Sequence, residues 1–290
     1  MRPLPILAAQ SAPVAWDPAA TWQKFEREIR RLRAMFPKTR LFLYPELFLA
    51  ALGPAAAPRP ASYSPALLAE PIPGPLTDRL AALAVELDAW LVPGSFYERG
   101  ADGEIHNTAV AIAPDGSLRA RYRKIFPWRP WEITAAGHEF VVFEVDDVGR
   151  AGLMICYDGW FPEVARQLAW LGAEVILQPS ATITSDREQE IVLARANAIA
   201  NQLFVVNVNM GGHAAPGRSV IVDPEGHVLQ QAGDGEEYLT EVLDLEAVRR
   251  VREYGSVGLN RMWEQLAREG PGLELPMYGG RFQPRDTSAS

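Results

Sequence analysis

Residues 152–163 read Gly152-Leu153-Met154-Ile155-Cys156-Tyr157-Asp158-Gly159-Trp160-Phe161-Pro162-Glu163. A short apolar run ends in the only cysteine of the chain. A proline followed by an acidic residue then marks the first turn of a helix, where a missing N–H costs nothing and negative charge is favoured. A buried strand that feeds a helix through a tight turn is a building unit of layered α/β folds. A cysteine at such a turn can present its sulfur at the sheet edge. The free N–H groups of the turn then face a developing anion. A lone cysteine is more often a small core residue, so this position needs support from elsewhere in the chain.

Strand-like and helix-like segments alternate along the chain on both sides of this stretch. Leu4–Ala9 is a short apolar run. Asp17–Met35 has helical spacing with Trp22, Phe25, Ile29 and Leu32 on one face. Its basic residues Arg27, Arg30, Arg31 and Arg33 read as a solvated helix face. Leu41–Tyr44 and Trp90–Pro93 read as strands around a helix over Leu76–Leu87. Thr108–Ala113 and Leu118–Tyr122 flank the turn Pro114-Asp115-Gly116 and predict a hairpin. Phe140–Val145 and Ala151–Ile155 are strands, and 162–171 is a helix that stops at Gly172. Strand Val175–Leu177, helix 186–201 and strand Phe204–Val208 follow, and a second turn, Pro224-Glu225-Gly226, joins Val220–Val222 to Val228–Leu229. The Ala/Pro-rich stretch 53–66 reads as a long loop, and the polar tail from about Gly279 as mobile. No linker separates these segments. The expectation is one domain over 1–270 and a partly flexible tail over 271–290.

Composition narrows the function classes. The chain has 290 residues, 48% of them hydrophobic, and a net charge of −8. That acidity disfavours nucleic acid and anionic membranes as partners. No apolar run approaches the roughly 18–20 residues of a membrane span, and the N-terminal apolar run is too short for a signal peptide. One cysteine excludes an intrachain disulfide. A cytoplasmic location is expected. No histidine or cysteine pair has zinc-ligand spacing, and no G-x-S-x-G elbow is present. None of the four histidines, His106, His138, His213 and His227, sits in a protease-type signature.

Two further residues occupy positions like that of Cys156. Glu46 follows the apolar strand directly in Tyr44-Pro45-Glu46-Leu47-Phe48. Apolar neighbours there would desolvate its carboxylate and raise its proton affinity into a range useful for a base. Lys124 ends a hairpin strand in Tyr122-Arg123-Lys124-Ile125-Phe126-Pro127-Trp128, where a partly buried ammonium needs an anionic partner. Either alone is an ordinary strand-end or surface charge. Three such positions in one chain matter, because α/β folds place their sites at strand ends.

In these three motifs the sequence resembles the nitrilase superfamily of carbon–nitrogen hydrolases. The order is Glu, Lys, Cys, at intervals of 78 (124 − 46) and 32 (156 − 124) residues. Asn107-Thr108-Ala109, Gln178-Pro179-Ser180-Ala181, Arg195–Asn201 and Val205-Val206-Asn207 are also similar to family segments, and the likeness runs over residues 4–263. The resemblance implies a four-layer αββα sandwich with two mixed sheets, and a catalytic triad of Glu46, Lys124 and Cys156. It adds Glu132, eight positions beyond Lys124, as a second glutamate. It implies oxyanion binding by the Lys124 ammonium and the Tyr157 N–H. It implies a small-molecule amide substrate, no metal or organic cofactor, and pairing into homodimers or larger homo-oligomers.

Substrate choice is left open among several readings. Tyr157-Asp158 after the cysteine resembles amidase branches and not the Trp-Glu of true nitrilases. Gly159-Trp160 departs from the arginine-rich segment of carbamoyl hydrolases, and Trp160 replaces an arginine of the ω-amidases. Trp128, Trp131 and Trp160 suggest an apolar or aromatic rim, and Ser180 lies on the pocket loop. Hydrolysis of a small or aromatic amide comes first. Nitrile or N-carbamoyl hydrolysis on the same triad, a glutamine-hydrolysing ammonia donor to a separate partner, and a non-catalytic binding protein are the alternatives. The last predicts a missing triad residue, and none is missing.

Overall fold

A computed structural model describes residues 1–54, 59–60 and 63–281. The chain forms two compact units, Met1–Leu245 and a second beginning at Glu246. The first unit contains two large mixed sheets with helices packed on them, the αββα arrangement.

The first sheet begins with β1 (Pro3–Gln10), followed by α1 (Pro18–Met35) and β2 (Leu41–Leu43). The Asp17 carboxylate accepts from Ala20 N at 2.9 Å and starts α1 with Pro18 in its first turn. The predicted face of α1 is the buried one: Phe25, Ile29 and Leu32 are inaccessible, and Trp22 packs at their edge. Next come α2 (Pro65–Leu68), α3 (Pro75–Leu87), β3 (Trp90–Val92), β4 (Ser95–Arg99), β5 (Ile105–Ile112) and β6 (Leu118–Arg123). With β13 (Glu237–Asp244) they form the order β13-β1-β2-β3-β5-β4, with β6 also on β5. Leu80, Leu83, Ala84 and Leu87 of α3 share one core with α1 and with Leu7, Phe42, Leu91 and Val110 of the sheet.

The second sheet contains β7 (Val141–Val145), β8 (Gly149–Leu153), β9 (Val175–Pro179), β10 (Phe204–Val208), β11 (Val220–Val222) and β12 (Val228–Gln231), in the order β12-β11-β10-β9-β8-β7. Here β8, β9 and β10 run parallel, and the fully buried β9 and β10 are strands of a sheet covered on both faces. A 3-10 turn over Cys156–Trp160 leads from β8 to α4 (Pro162–Trp170), and α5 (Arg187–Asn201) links β9 to β10. Gly152 lets α4 sit close: a Cβ there would stand 3.3 Å from Leu168. Trp90 of the first sheet packs on Phe143 of the second with ring centroids 5.5 Å apart.

The second unit holds α6 (Glu246–Tyr254), α7 (Met262–Glu269) and a two-stranded ribbon of β14 (Glu274–Leu275) with β15 (Gly280–Arg281). The part of the predicted tail over 271–281 is therefore ordered into a turn and a short pair of strands. Its remainder, 282–290, and residues 55–58 and 61–62 of the predicted loop 53–66 lie outside the described residues. The last residues of that stretch, Pro65 and Ala66, open α2, a helix where a loop is expected. No helix among the described residues is long and apolar enough to cross a membrane.

Candidate active site

The carboxyl ends of β2, β8, β9 and β10 and the end of β6 gather one buried polar cluster. Chain continuity explains each member. Glu46 lies just beyond β2, and its N–H donates to Ser180 O at 3.2 Å. The next residue, Leu47, has φ +51°, and its N–H donates to Ser95 Oγ at 3.0 Å. Lys124 continues β6, with its N–H donating to Asn107 O at 2.9 Å. Cys156 follows β8 at φ +61°, a left-handed conformation that is uncommon without glycine. Such strain costs on the order of 1–3 kcal/mol and persists only where its surroundings enforce it.

Asp158 is one enforcing group. It is fully buried and accepts from Tyr122 Oη at 2.7 Å, Phe126 N at 2.8 Å and Ile155 N at 2.9 Å. One carboxylate thereby ties the cysteine turn to β6 and to the loop after Lys124. Gln178 Nε2 donates to Cys156 O at 3.0 Å, and Asn197 Nδ2 to Gly159 O at 2.9 Å. These hold the turn from β9 and α5.

Inside the cluster, Lys124 Nζ donates to Glu46 Oε1 at 2.8 Å and to Glu132 Oε2 at 2.7 Å. Asn107 Nδ2 donates to the same two side chains, at 2.8 Å to Glu46 Oε1 and 2.8 Å to Glu132 Oε1. Glu132 also accepts from Trp128 N at 3.0 Å and Thr134 Oγ1 at 3.1 Å. Lys124 and Glu46 are only 2% and 3% exposed, so their charges are felt at short range without much screening.

Environment separates the two glutamates. Burial pushes Glu46 above the usual carboxylate range, and neither the Lys124 charge nor a contact with Cys156 fully offsets it. Burial acts in the same direction on Glu132, but there Lys124 and the hydrogen bonds from Trp128 N and Asn107 outweigh it and hold the carboxyl low. Burial would lower Lys124; Glu46 and Glu132 more than reverse this and fix it as an ammonium. Burial and the Glu46 charge raise the Cys156 thiol well above its ordinary range. At rest, therefore, the cysteine is a thiol beside the carboxylate of higher proton affinity, an arrangement suited to proton transfer from sulfur to oxygen.

The predicted rim residues divide. Trp160 and Tyr157 are half-buried and lie together, ring centroids 6.0 Å apart. Trp128 is half-buried and holds Glu132 through its backbone. Trp131 is 77% exposed, so its ring faces solvent and adds nothing to a closed pocket wall. Ser180 is fully buried, and its hydroxyl donates to Glu190 Oε1 at 2.6 Å. It holds neighbours in place and does not offer its hydroxyl to a pocket.

Asn107 and Glu190 are the members that residue-by-residue reading did not single out. A signal for Asn107 existed. β5 and β6 pair as Thr108↔Arg123, so extending the hairpin by one rung sets Asn107 opposite Lys124. For a cation, Asp102, Glu104 and His106 bring possible ligand atoms within 4.8 Å of one another. Arg123 Nη2 shares that corner, 3.4 Å from where a Gly100 Cβ would stand, and its charge opposes a metal ion.

A two-sheet α/β sandwich that collects a thiol, an ammonium and two carboxylates at its strand ends describes a class of enzyme-like folds. The comparisons with known proteins give the family. The carbon-nitrogen hydrolase family model matches residues 6–253, and the chain belongs to that family, within the nitrilase superfamily. It is 34% identical over 209 residues to the deaminated glutathione amidase of Rattus norvegicus, covering 65% of this chain and 64% of that protein. The chain thus spans less than two thirds of that relative's length. It is 33% identical over 213 residues to the omega-amidase of Homo sapiens, covering 68% of this chain and 76% of the other. Among solved structures, Saccharomyces cerevisiae Nit3 superposes with a TM-score of 0.76 at 27% identity, covering 90% of this chain and 97% of its own.

Proposed function

We propose that this chain is an amidase that hydrolyses a small or aromatic amide through a thioester on Cys156. The observation that carries the reading is the pair of bonds from Lys124 Nζ to Glu46 and Glu132 at 2.8 and 2.7 Å, buried beside a cysteine held at φ +61°. The ammonium and the Tyr157 N–H supply positive charge where an oxyanion would form. Glu46 supplies the base.

The steps follow from these positions. The Cys156 proton passes to Glu46 as sulfur attacks the amide carbonyl. The tetrahedral oxyanion rests on Lys124 and the Tyr157 N–H. Glu46 returns the proton to the nitrogen, the C–N bond breaks, and ammonia or an amine leaves. Water then gives a proton to Glu46 and attacks the thioester, the C–S bond breaks, and the thiol regains its proton. Glu132 orients the amide or the water, a role that depends on position. Domain 1–270 carries the reaction, in a cytoplasmic homodimer or larger homo-oligomer, with no cofactor.

Relatives named as a deaminated glutathione amidase, an omega-amidase and a formamidase support amides ahead of nitriles. Trp160, against Tyr157, offers an aromatic surface and no charge for a second carboxylate on the substrate. A panel of aliphatic and aromatic amides, dicarboxylate monoamides, nitriles, carbamoyl compounds and glutamine, scored by ammonia release, tests this. Neutral amides are expected to lead. Turnover of nitriles or glutamine alone contradicts the proposal.

A further inference from the structure

A second chain of hydrogen bonds reaches the sulfur through Thr182. Thr182 Oγ1 lies 3.7 Å from Cys156 Sγ, within the reach of a bond to sulfur. Thr182 Oγ1 also hydrogen-bonds to Glu190 Oε2. Glu190 is 2% exposed and further receives Arg187 Nη1 at 2.8 Å, Ser180 Oγ at 2.6 Å and Asn207 Nδ2 at 3.1 Å. The Thr182 backbone is clamped as well: its N–H donates to Asn209 Oδ1 at 2.9 Å, and its carbonyl accepts from Asn209 Nδ2 at 3.0 Å.

The direction of the bonds follows from this. Burial alone would raise Glu190, but Arg187 and the hydroxyl donors hold its carboxyl below the usual range, so it is ionised and can only accept. A threonine hydroxyl has one proton, and Thr182 spends it on Glu190. Toward Cys156, therefore, Thr182 presents only lone pairs. It can accept from the S–H, and it faces a thiolate with the negative end of its dipole.

We infer that Thr182, fixed by Glu190 as a hydrogen-bond acceptor, is a positioning residue that holds the resting Cys156 in the thiol form. The inference rests on Cys156 being the nucleophile of the proposed amidase. The thiol proton then has two oxygen acceptors, Thr182 at rest and Glu46 for transfer. Release of the proton is confined to the moment when a bound substrate favours Glu46, and the free enzyme's sulfur is spared unproductive reaction with other electrophiles, which only the thiolate attacks readily.

Alkylation of this single cysteine by methyl vinyl ketone, a neutral electrophile without an amide group, as a function of pH is the test, because it reads thiolate formation whether or not any amide is turned over. Glu46, Lys124, Glu132, Asp158 and Glu190, the charged groups around the thiol, stay unchanged in every variant. Thr182→Val keeps the shape and removes the acceptor. A hydrogen bond of ordinary net strength corresponds to about half to one pH unit. The Thr182→Val rate curve should move to lower pH by that amount, with alkylation at neutral pH about three- to tenfold faster. Thr182→Ala should move the same way, and Thr182→Ser should restore the parent curve. An unmoved or upward-shifted curve in both hydroxyl-free variants, or a serine variant that behaves like valine, overturns the inference. A shifted curve in a protein that hydrolyses no amide would leave the thiol-holding role intact and reject the amidase reading instead.

Discussion

Asn107 joins the two glutamates by donating from one amide nitrogen to both. Removing a donor from an ionised carboxylate destabilises the charged form and raises its proton affinity. In Asn107→Ala the acid limb of kcat/KM should therefore move to higher pH, by about one unit for a charge-assisted bond. An acid limb that stays in place would detach Asn107 from the base. Glu46→Gln keeps the shape and removes proton acceptance, so single-turnover acylation should fall about 100- to 10,000-fold. Glu132→Gln should cost less than Glu46→Gln, at most about 100-fold, through misplacement of the substrate. Equal losses in the two variants would contradict the separate roles given to them. Glu46, Lys124 and Cys156 stood out in the sequence because each sits where a strand stops, an apolar one before Glu46 and Cys156 and a hairpin strand before Lys124. Thr182 and Glu190 were not, since their part depends on which lone pair faces sulfur across two elements.

The 3-10 turn from β8 into α4 stands on Asp158. Three donors from two segments, Tyr122 Oη, Phe126 N and Ile155 N, converge on it. Asp158→Ala leaves them buried without their acceptor and should cost about 2–4 kcal/mol in urea unfolding, against about 1 kcal/mol for Tyr122→Phe. Equal stability to the parent would mean that the turn is held elsewhere. Burial pushes the Asp158 carboxyl up to about 6. A carboxyl whose folded pKa is raised stabilises the fold in its protonated form, so its contribution grows as pH falls through about 6 and is lost as pH rises through that value. The helices and the 114–116 hairpin could be read in advance because periodicity and turn residues are local. β4 and β13 escaped the reading. β13 has an alternating pattern broken by Glu237, Glu241 and Asp244, and it exists because all eight residues of β1 pair with it. The φ of +61° at Cys156 is likewise imposed by tertiary bonds and leaves no trace in residue type.

Across the first unit, charge pairs lock distant parts of the chain. Arg2, before β1, hydrogen-bonds both carboxylate oxygens of Glu174, before β9, and donates to Val148 O at 3.0 Å. Glu98, opposed by burial but gripped by Arg123 and Thr108, is held below the usual carboxylate range, and so is Glu190 by Arg187. A carboxyl with a depressed folded pKa stabilises the fold above its unfolded value, and that stability is lost as pH falls through the folded pKa. The stability difference in urea between the parent and Glu98→Gln should therefore be constant above about pH 5 and shrink below about pH 4, while Asp158 acts in the opposite direction through about 6. A difference constant from pH 5 to 3 would contradict the Glu98 assignment. Layered α/β structure was legible because most of its strands are apolar and its helices amphipathic; the four-layer αββα order came from the resemblance to the nitrilase superfamily. No change of composition marks the end of the first compact unit at Leu245.

The most direct measurement is the mass of the protein during turnover of a primary amide. Acid-quenched samples should carry one acyl group, on the peptide containing Cys156 and on no other. Cys156→Ala should carry none and release no ammonia. Undiminished ammonia release by Cys156→Ala would contradict the account at its centre.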